Sequence, residues 1–222
     1  MKMQLSDIEA RVLGCLIEKE ITTPEYYPLS LNSLTAACNQ KSNRDPMMRL
    51  DEKTVVKAVD RLRYELHLVW QTTAPGSRVA KYKHDILSLW KFTPPELAVL
   101  CTLLLRGPQT LGELRGRAER FHKFQSLEEV QAALDELMKW EDGPFAAKLS
   151  REPGRKEPRY IHLMCGDVPQ ADTPAEPLPE PARLEVQADA ERFAAIEKDV
   201  AALKAEVEAL KSRLAEFRKQ FE

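Results

Sequence analysis

Cysteine is scarce in this sequence and never paired: Cys15, Cys38, Cys101 and Cys165 lie far apart, with no CxxC. That spacing argues against a disulfide framework or a zinc site. The apolar, helix-like runs around Cys15 and Cys101 mark them as small buried hydrophobes in a reducing compartment. Long apolar runs are missing too. None approaches the roughly 20 residues that a bilayer-spanning helix needs, and the opening MKMQLSDIEARVL has acidic residues where a signal peptide has a continuous apolar stretch. Catalytic signatures are equally absent: there is no GxGxxG after a strand, no P-loop, no GxSxG and no HExxH. His67, His84, His122 and His162 are scattered, and none stands in ligand spacing with another ligating residue. The expectation is a cytoplasmic, non-enzymatic protein without cofactor or metal.

What is present is an ordinary globular composition, 43% hydrophobic and 31% charged, enough to build a core. The formal net charge of −2 conceals a gradient. The first ~91 residues carry about +3, the next ~77 about −1 and the remainder about −4, so nucleic-acid contact is to be sought first in the N-terminal part.

The main organising feature is an internal repeat with a period of roughly 75 to 90 residues, too long for a solenoid. L-S-D-I-E-A-R-V-L-G-C-L-I from Leu5 matches F-T-P-P-E-L-A-V-L-C-T-L-L from Phe92. Ser6 and Thr93 serve as N-caps, each followed by an acidic first turn and an apolar helical face, with Pro94 at the first helical position. A short second helix follows in each unit, capped by Ser30 in one and entered through Gly107-Pro108 and Thr110 in the other. A third starts after Asp51 and after Ser126, with Val55, Val59 and Leu62 inward in one and Val130, Leu134 and Leu137 inward in the other. Each unit then ends in two strand-like runs about a turn: 68–72 and 78–83 around Pro75-Gly76, 145–149 and 159–163 around Pro153-Gly154.

Three helices and a hairpin in this order predict a mainly α fold with small β-hairpins (α+β), made of two tandem winged-helix domains over 1–91 and 92–165. From 166 to 184 prolines recur every second or third position, as in an extended linker. Residues 185–222 carry a heptad pattern in which Ile196, Val200, Leu203, Val207, Leu210 and Leu214 form the seam. Val at a and Leu at d suit a parallel two-stranded coil. A homodimer is one reading; an amphipathic helix folded back on the domains is the other.

Candidate contacts with double-stranded DNA lie on the outward face of the third helix of unit one: Lys53, Thr54, Lys57 and Arg61, with Tyr64 in the same stripe. Arg78 and Lys81 stand on the hairpin, and Lys41, Asn43 and Arg44 in the polar stretch between the second and third helices. Lys and Arg suit phosphates and guanine edges, and Thr suits backbone or base. Asp51, Glu52 and Asp60 lie beside them, and a solvated, salt-bridged face gives the same pattern. The polar stretch also reads as a turn bonded to its own backbone. The third helix of unit two presents Glu129, Ala132, Glu136 and Lys139, which suits a protein partner better than phosphate.

T-P-E-Y-Y-P-L-S-L-N-S-L, C-N-Q-K-S-N-R-D-P, F-T-P-P-E-L-A-V-L and R-G-P-Q-T-L-G-E-L-R-G-R closely resemble the YceH-like family of bacterial proteins, over nearly the whole chain to about Leu163. The resemblance implies two winged-helix domains and a cytoplasmic protein, and brings no site residues with it. The architecture is also similar to ScpB, the tandem winged-helix partner in chromosome condensation, although no motif matches. The expected function is therefore DNA binding in transcriptional regulation. A protein-interaction scaffold that binds no DNA is the alternative.

Overall fold

The first helix starts at the cap that the sequence places for it. In the computed structural model, which describes residues 4–73, 79–140, 142–150 and 157–166, α1 spans Asp7–Thr22 behind a capping box of Ser6 and Glu9. Every residue from Glu9 to Glu18 is buried, the mark of a helix enclosed on all sides. β1 (Leu29–Ser30) leads into α2 (Leu31–Cys38), whose N-cap Ser30 accepts from the Ser33 amide. α3 (Glu52–Tyr64) is capped by Asp51 and buries Val55, Ala58, Val59 and Leu62. The hairpin β2 (Val69–Thr72) and β3 (Lys81–His84) then pairs Val69 with His84 and Thr72 with Lys81.

A single turn, α4 (Ile86–Leu89), connects to the second unit. There α5 (Pro94–Arg106) is buried continuously from Glu96 to Leu105 and ends at Gly107, whose positive φ of 64° glycine adopts freely. α6 (Leu111–Ala118) begins in a capping box of Thr110 and Glu113. α7 (Leu127–Lys139) buries Val130, Ala133, Leu134 and Leu137. β4 (Ala146–Lys148) pairs antiparallel with β5 (Tyr160–His162). The chain is thus mixed α and β, with small antiparallel sheets.

The repeat extends further than its sequence pattern shows. β1 adds a third strand to the first sheet, in the order β1-β3-β2, by pairing Leu29 with Tyr82. At the matching place in the second unit, just before α6, Gln109 bridges Tyr160 of β5. In both units the residue ahead of the second helix is therefore tied to the returning hairpin strand.

Both units lie within one compact body, Met1–Pro169, and their buried residues form one continuous core. The helices α1 and α5 meet at its centre, where the Cys101 thiol lies 3.5 Å from the Gly14 carbonyl. A Cβ on Gly14 would stand 3.0 Å from Leu105 and 3.1 Å from Leu104. Helix propensity favours alanine over glycine by about 1 kcal/mol, so Gly14→Ala is expected to lie close to neutral. Gly14→Leu must separate the helices and should cost about 3 kcal/mol, the upper part of the usual overpacking range. Equilibrium urea unfolding of the two variants checks this, and a leucine variant as stable as the parent would place the crossing elsewhere. Trp90, Phe92, Trp140 and Phe145 close the end of the second unit, with Trp90 and Phe145 centroids 4.8 Å apart.

Candidate nucleic-acid interface and the arginine seam behind it

The solvent face of α3 follows from its burial pattern. With Val55, Ala58, Val59 and Leu62 inward, Lys53, Lys57, Asp60 and Tyr64 are exposed and Thr54 is half-buried. On the hairpin, Lys83 is exposed and Lys81 half-buried. Sequence reasoning missed what joins the two. Arg63 donates from Nη1 to Gln71 Oε1 at 2.6 Å, tying the end of α3 to β2, and its guanidinium lies 4.6 Å from the centre of the Tyr64 ring. Trp70, 56% exposed, stands opposite Lys83 and donates its indole N–H to Asp85. Trp70 and Tyr64 are thus two large aromatic side chains left largely in water.

Arg61 does not belong to that open face. Its Nη1 pairs with Glu9, its Nη2 donates to the Gln4 carbonyl and its Nε meets Glu65 at 3.2 Å. Because Glu9 Oε2 also accepts from the Ser6 amide, Arg61 fastens α3 to the start of α1. Arg78 and the heptad residues Ile196, Val200, Leu203, Val207, Leu210 and Leu214 lie outside the described residues, as do the linker and the tip of the second hairpin.

The polar stretch 39–51 divides. Lys41 is exposed, whereas Arg44 is only 5% exposed and turns inward. Arg44 holds the Glu18 carboxylate with Nη1 and Nη2 and donates to the Ala37 carbonyl and Gln40 Oε1. Burial is the largest influence and works against its charge, but Glu18 and Cys15 together more than offset it, and the guanidinium lies above its ordinary pKa. Arg120 of the second unit reaches the same carboxylate at 2.8 Å. Asn43, in the left-handed region at φ 59°, accepts from Arg106 at 3.0 Å through Oδ1, and the Asp45 amide donates to the Leu105 carbonyl. Asn39 closes the base by bonding both the N–H and the C=O of Leu50. Asn43 and Arg44 therefore form a seam between the units, and their side chains are already engaged where a phosphate would have to bind. The sequence carries little sign of this, because Glu18 stands in the charged run Glu18-Lys19-Glu20 at the end of α1.

In the second unit Glu129, Ala132, Glu136 and Lys139 are exposed on α7 as expected. Glu129, Ala132 and Glu136 border a groove of about 560 Å³ between α7, the start of α5 and the α6–α7 connection, with Phe124 and Ala133 among its walls. Among the described residues, Cys15, Cys38 and Cys101 are buried, no group of acidic, His or Cys residues could hold a metal, and no helix is long and apolar enough to cross a membrane.

The fold and site define a twice-repeated α+β protein with one basic, aromatic face and a buried charged seam. The chain belongs to the family described as "Protein of unknown function, DUF480", which matches residues 5–155. It is similar to a UPF0502 protein of Geotalea uraniireducens, 52% identical over 223 residues and covering 100% of each chain. Another relative, in Geobacter sulfurreducens, is 53% identical over 222 residues, again covering 100% of each. The UPF0502 protein YceH of Escherichia fergusonii is 46% identical over 220 residues, 97% of this chain and 100% of that one. The resemblance carried by C-N-Q-K-S-N-R-D-P is thus a family relationship along the whole chain.

Proposed function

We propose that this protein is a cytoplasmic, non-catalytic DNA-binding protein, a transcriptional regulator built from tandem winged-helix domains. α3 enters the major groove and the β2–β3 hairpin lies along the backbone. The observation that supports this most is the exposure of Lys53 and Lys57 on α3 beside a hairpin that carries Lys81 and Lys83 and is tied to α3 by the Arg63–Gln71 bond. The heptad tail, as a parallel dimer, would duplicate this face and call for a two-fold symmetric site.

Fluorescence anisotropy with the full chain and a random 30-mer duplex tests it across a salt series. About five phosphate contacts give a log–log slope near −4 to −5, and so a several-hundredfold loss of affinity between 50 and 200 mM salt. Replacing Lys53, Lys57 and Lys81 together by alanine should flatten the slope to about −2, since each lost contact removes about 0.9. A slope unchanged in that variant would remove this face as the reader. Arg61→Ala is expected to act through the fold, because Arg61 is bonded to Glu9 and Glu65.

The groove along α7 supports the second reading, a protein-interaction scaffold. A stoichiometric protein partner that survives nuclease treatment, together with no duplex binding at 50 mM salt, would favour it.

A further inference from the structure

The two faces of the first sheet differ. Side chains two apart along a strand, and those directly opposite on a paired strand, share a face. One face therefore holds Leu29, Val69, Gln71, Tyr82 and His84. Of these, Leu29, Val69 and His84 are buried, and Tyr82 packs on the core. The other face holds Trp70, Thr72, Lys81 and Lys83, with Ser30 of β1 beside Lys81. Trp70 is 56% exposed and Lys83 is exposed, so this face is open to water.

The orientation of Trp70 is fixed. Its indole N–H donates to Asp85 Oδ2 at 2.6 Å, and Asp85 Oδ1 accepts at 2.6 Å from the Ser88 hydroxyl. With the N–H satisfied, what the ring still offers a partner is its flat apolar face. Lys83 stands directly across the strand pair, and Lys81 lies two residues before it on the same face. The carboxylates nearby are already engaged: Asp85 holds the indole and the hydroxyl, and Glu20 is held by His84 at 2.7 Å, with Lys83 a lesser influence.

A partner that suits this face brings flat rings to stack and negative charge for the lysines. Nucleic acid has both, but in a duplex each base is already stacked on its neighbours and has no face free for an indole. An unpaired base does, whatever its identity. We infer that the outer face of β2–β3 binds single-stranded DNA, with an unpaired base stacked on Trp70 and phosphates on Lys81 and Lys83. In naming DNA over RNA the inference rests on the proposed duplex reading, because β2 is tied to α3 by the Arg63–Gln71 bond. The stacking itself stands apart from that reading, since the single strand is measured directly.

Fluorescence anisotropy of the full chain with a labelled oligo(dT) 20-mer at 50 mM salt tests it, with an oligo(rU) 20-mer and an abasic strand of equal length as comparisons. The oligo(dT) strand should bind, and Trp70→Ala should weaken it at least about fivefold, the loss of stacking on one base. Trp70→Phe keeps a ring without the bond to Asp85 and should stay within about twofold of the parent. The abasic strand should bind the parent and Trp70→Ala alike. Lys81→Ala/Lys83→Ala should flatten the log–log salt slope by about 1.4, at about 0.7 for each phosphate of a single strand. Failure of oligo(dT) to bind, or equal affinity in Trp70→Ala, would overturn the inference. So would Trp70→Phe losing as much as Trp70→Ala, which would place the effect in the fold, and tighter binding of oligo(rU), which would make the strand RNA. Loss of duplex binding with oligo(dT) binding intact would remove the duplex reading and leave this one standing.

Discussion

Glu18→Ala should lower the stability of the protein by about 3–5 kcal/mol, the cost of leaving a buried ion pair half-removed. For a chain of this size that corresponds to a fall of about 6–20 °C in Tm. The side chains of Glu18 and Arg44 have 0% exposure, so water cannot replace the lost partner. Arg44 would keep the Ala37 carbonyl and Gln40, but its charge would have no counterion within reach. Arg120 would lose its bond across the units in the same step. The pair Glu18→Leu/Arg44→Met should recover part of the loss, because removing both charges removes the desolvation penalty, while the Ala37 carbonyl stays unsatisfied. Thermal and urea unfolding of the three proteins would decide the matter. A single variant within 1 kcal/mol of the parent would show that the seam contributes nothing to holding the units together.

Acidification should weaken the fold between about pH 6.5 and 4 through His162. Burial disfavours the charged imidazole and pushes its pKa from 6.5 to about 4, against a smaller opposing pull from Asp7. The unfolded chain therefore binds one proton more than the folded chain throughout that window, and stability rises with pH. The contribution is complete above 6.5, declines by about 1.4 kcal/mol per pH unit below it, and amounts to about 3 kcal/mol by pH 4. His162→Gln should flatten this part of the stability–pH curve while carboxylates with lowered pKa, such as Glu113 and Glu20, continue to titrate below it. An unaltered curve in the variant would assign the effect to another group.

Much of this fold was legible because caps and apolar periodicity are local signals. Ser6, Ser30, Asp51 and Ser126 begin their helices where the sequence places them, and the inward sets of α3 and α7 are buried as their spacing requires. The hairpins came through less sharply, with the second strand of the first running Lys81–His84 instead of 78–83. β1 and the Gln109–Tyr160 bridge had no signal at all, since two residues and one pair carry no alternation. The candidate site divides on the same principle. Exposure of Lys53 and Lys57 follows from the helix period, whereas the partners of Arg44 and Arg61 lie 26 and 52 residues away and belong to the tertiary structure. A lone polar residue in a turn and a cation bound for the interior look alike until the carboxylate it meets is known.

The meeting of α1 and α5 at Gly14 also bears on how such a molecule could have arisen. Each helix is enclosed on every side, and each supplies part of the enclosure of the other. Either unit alone would show an apolar helix to water, and the other unit is what covers it. Fusion of two such copies would turn an encounter that depends on concentration into a fixed one. It would also free the two outer faces to diverge, one toward lysine and the other toward glutamate, while the inner faces stayed bound to fit each other.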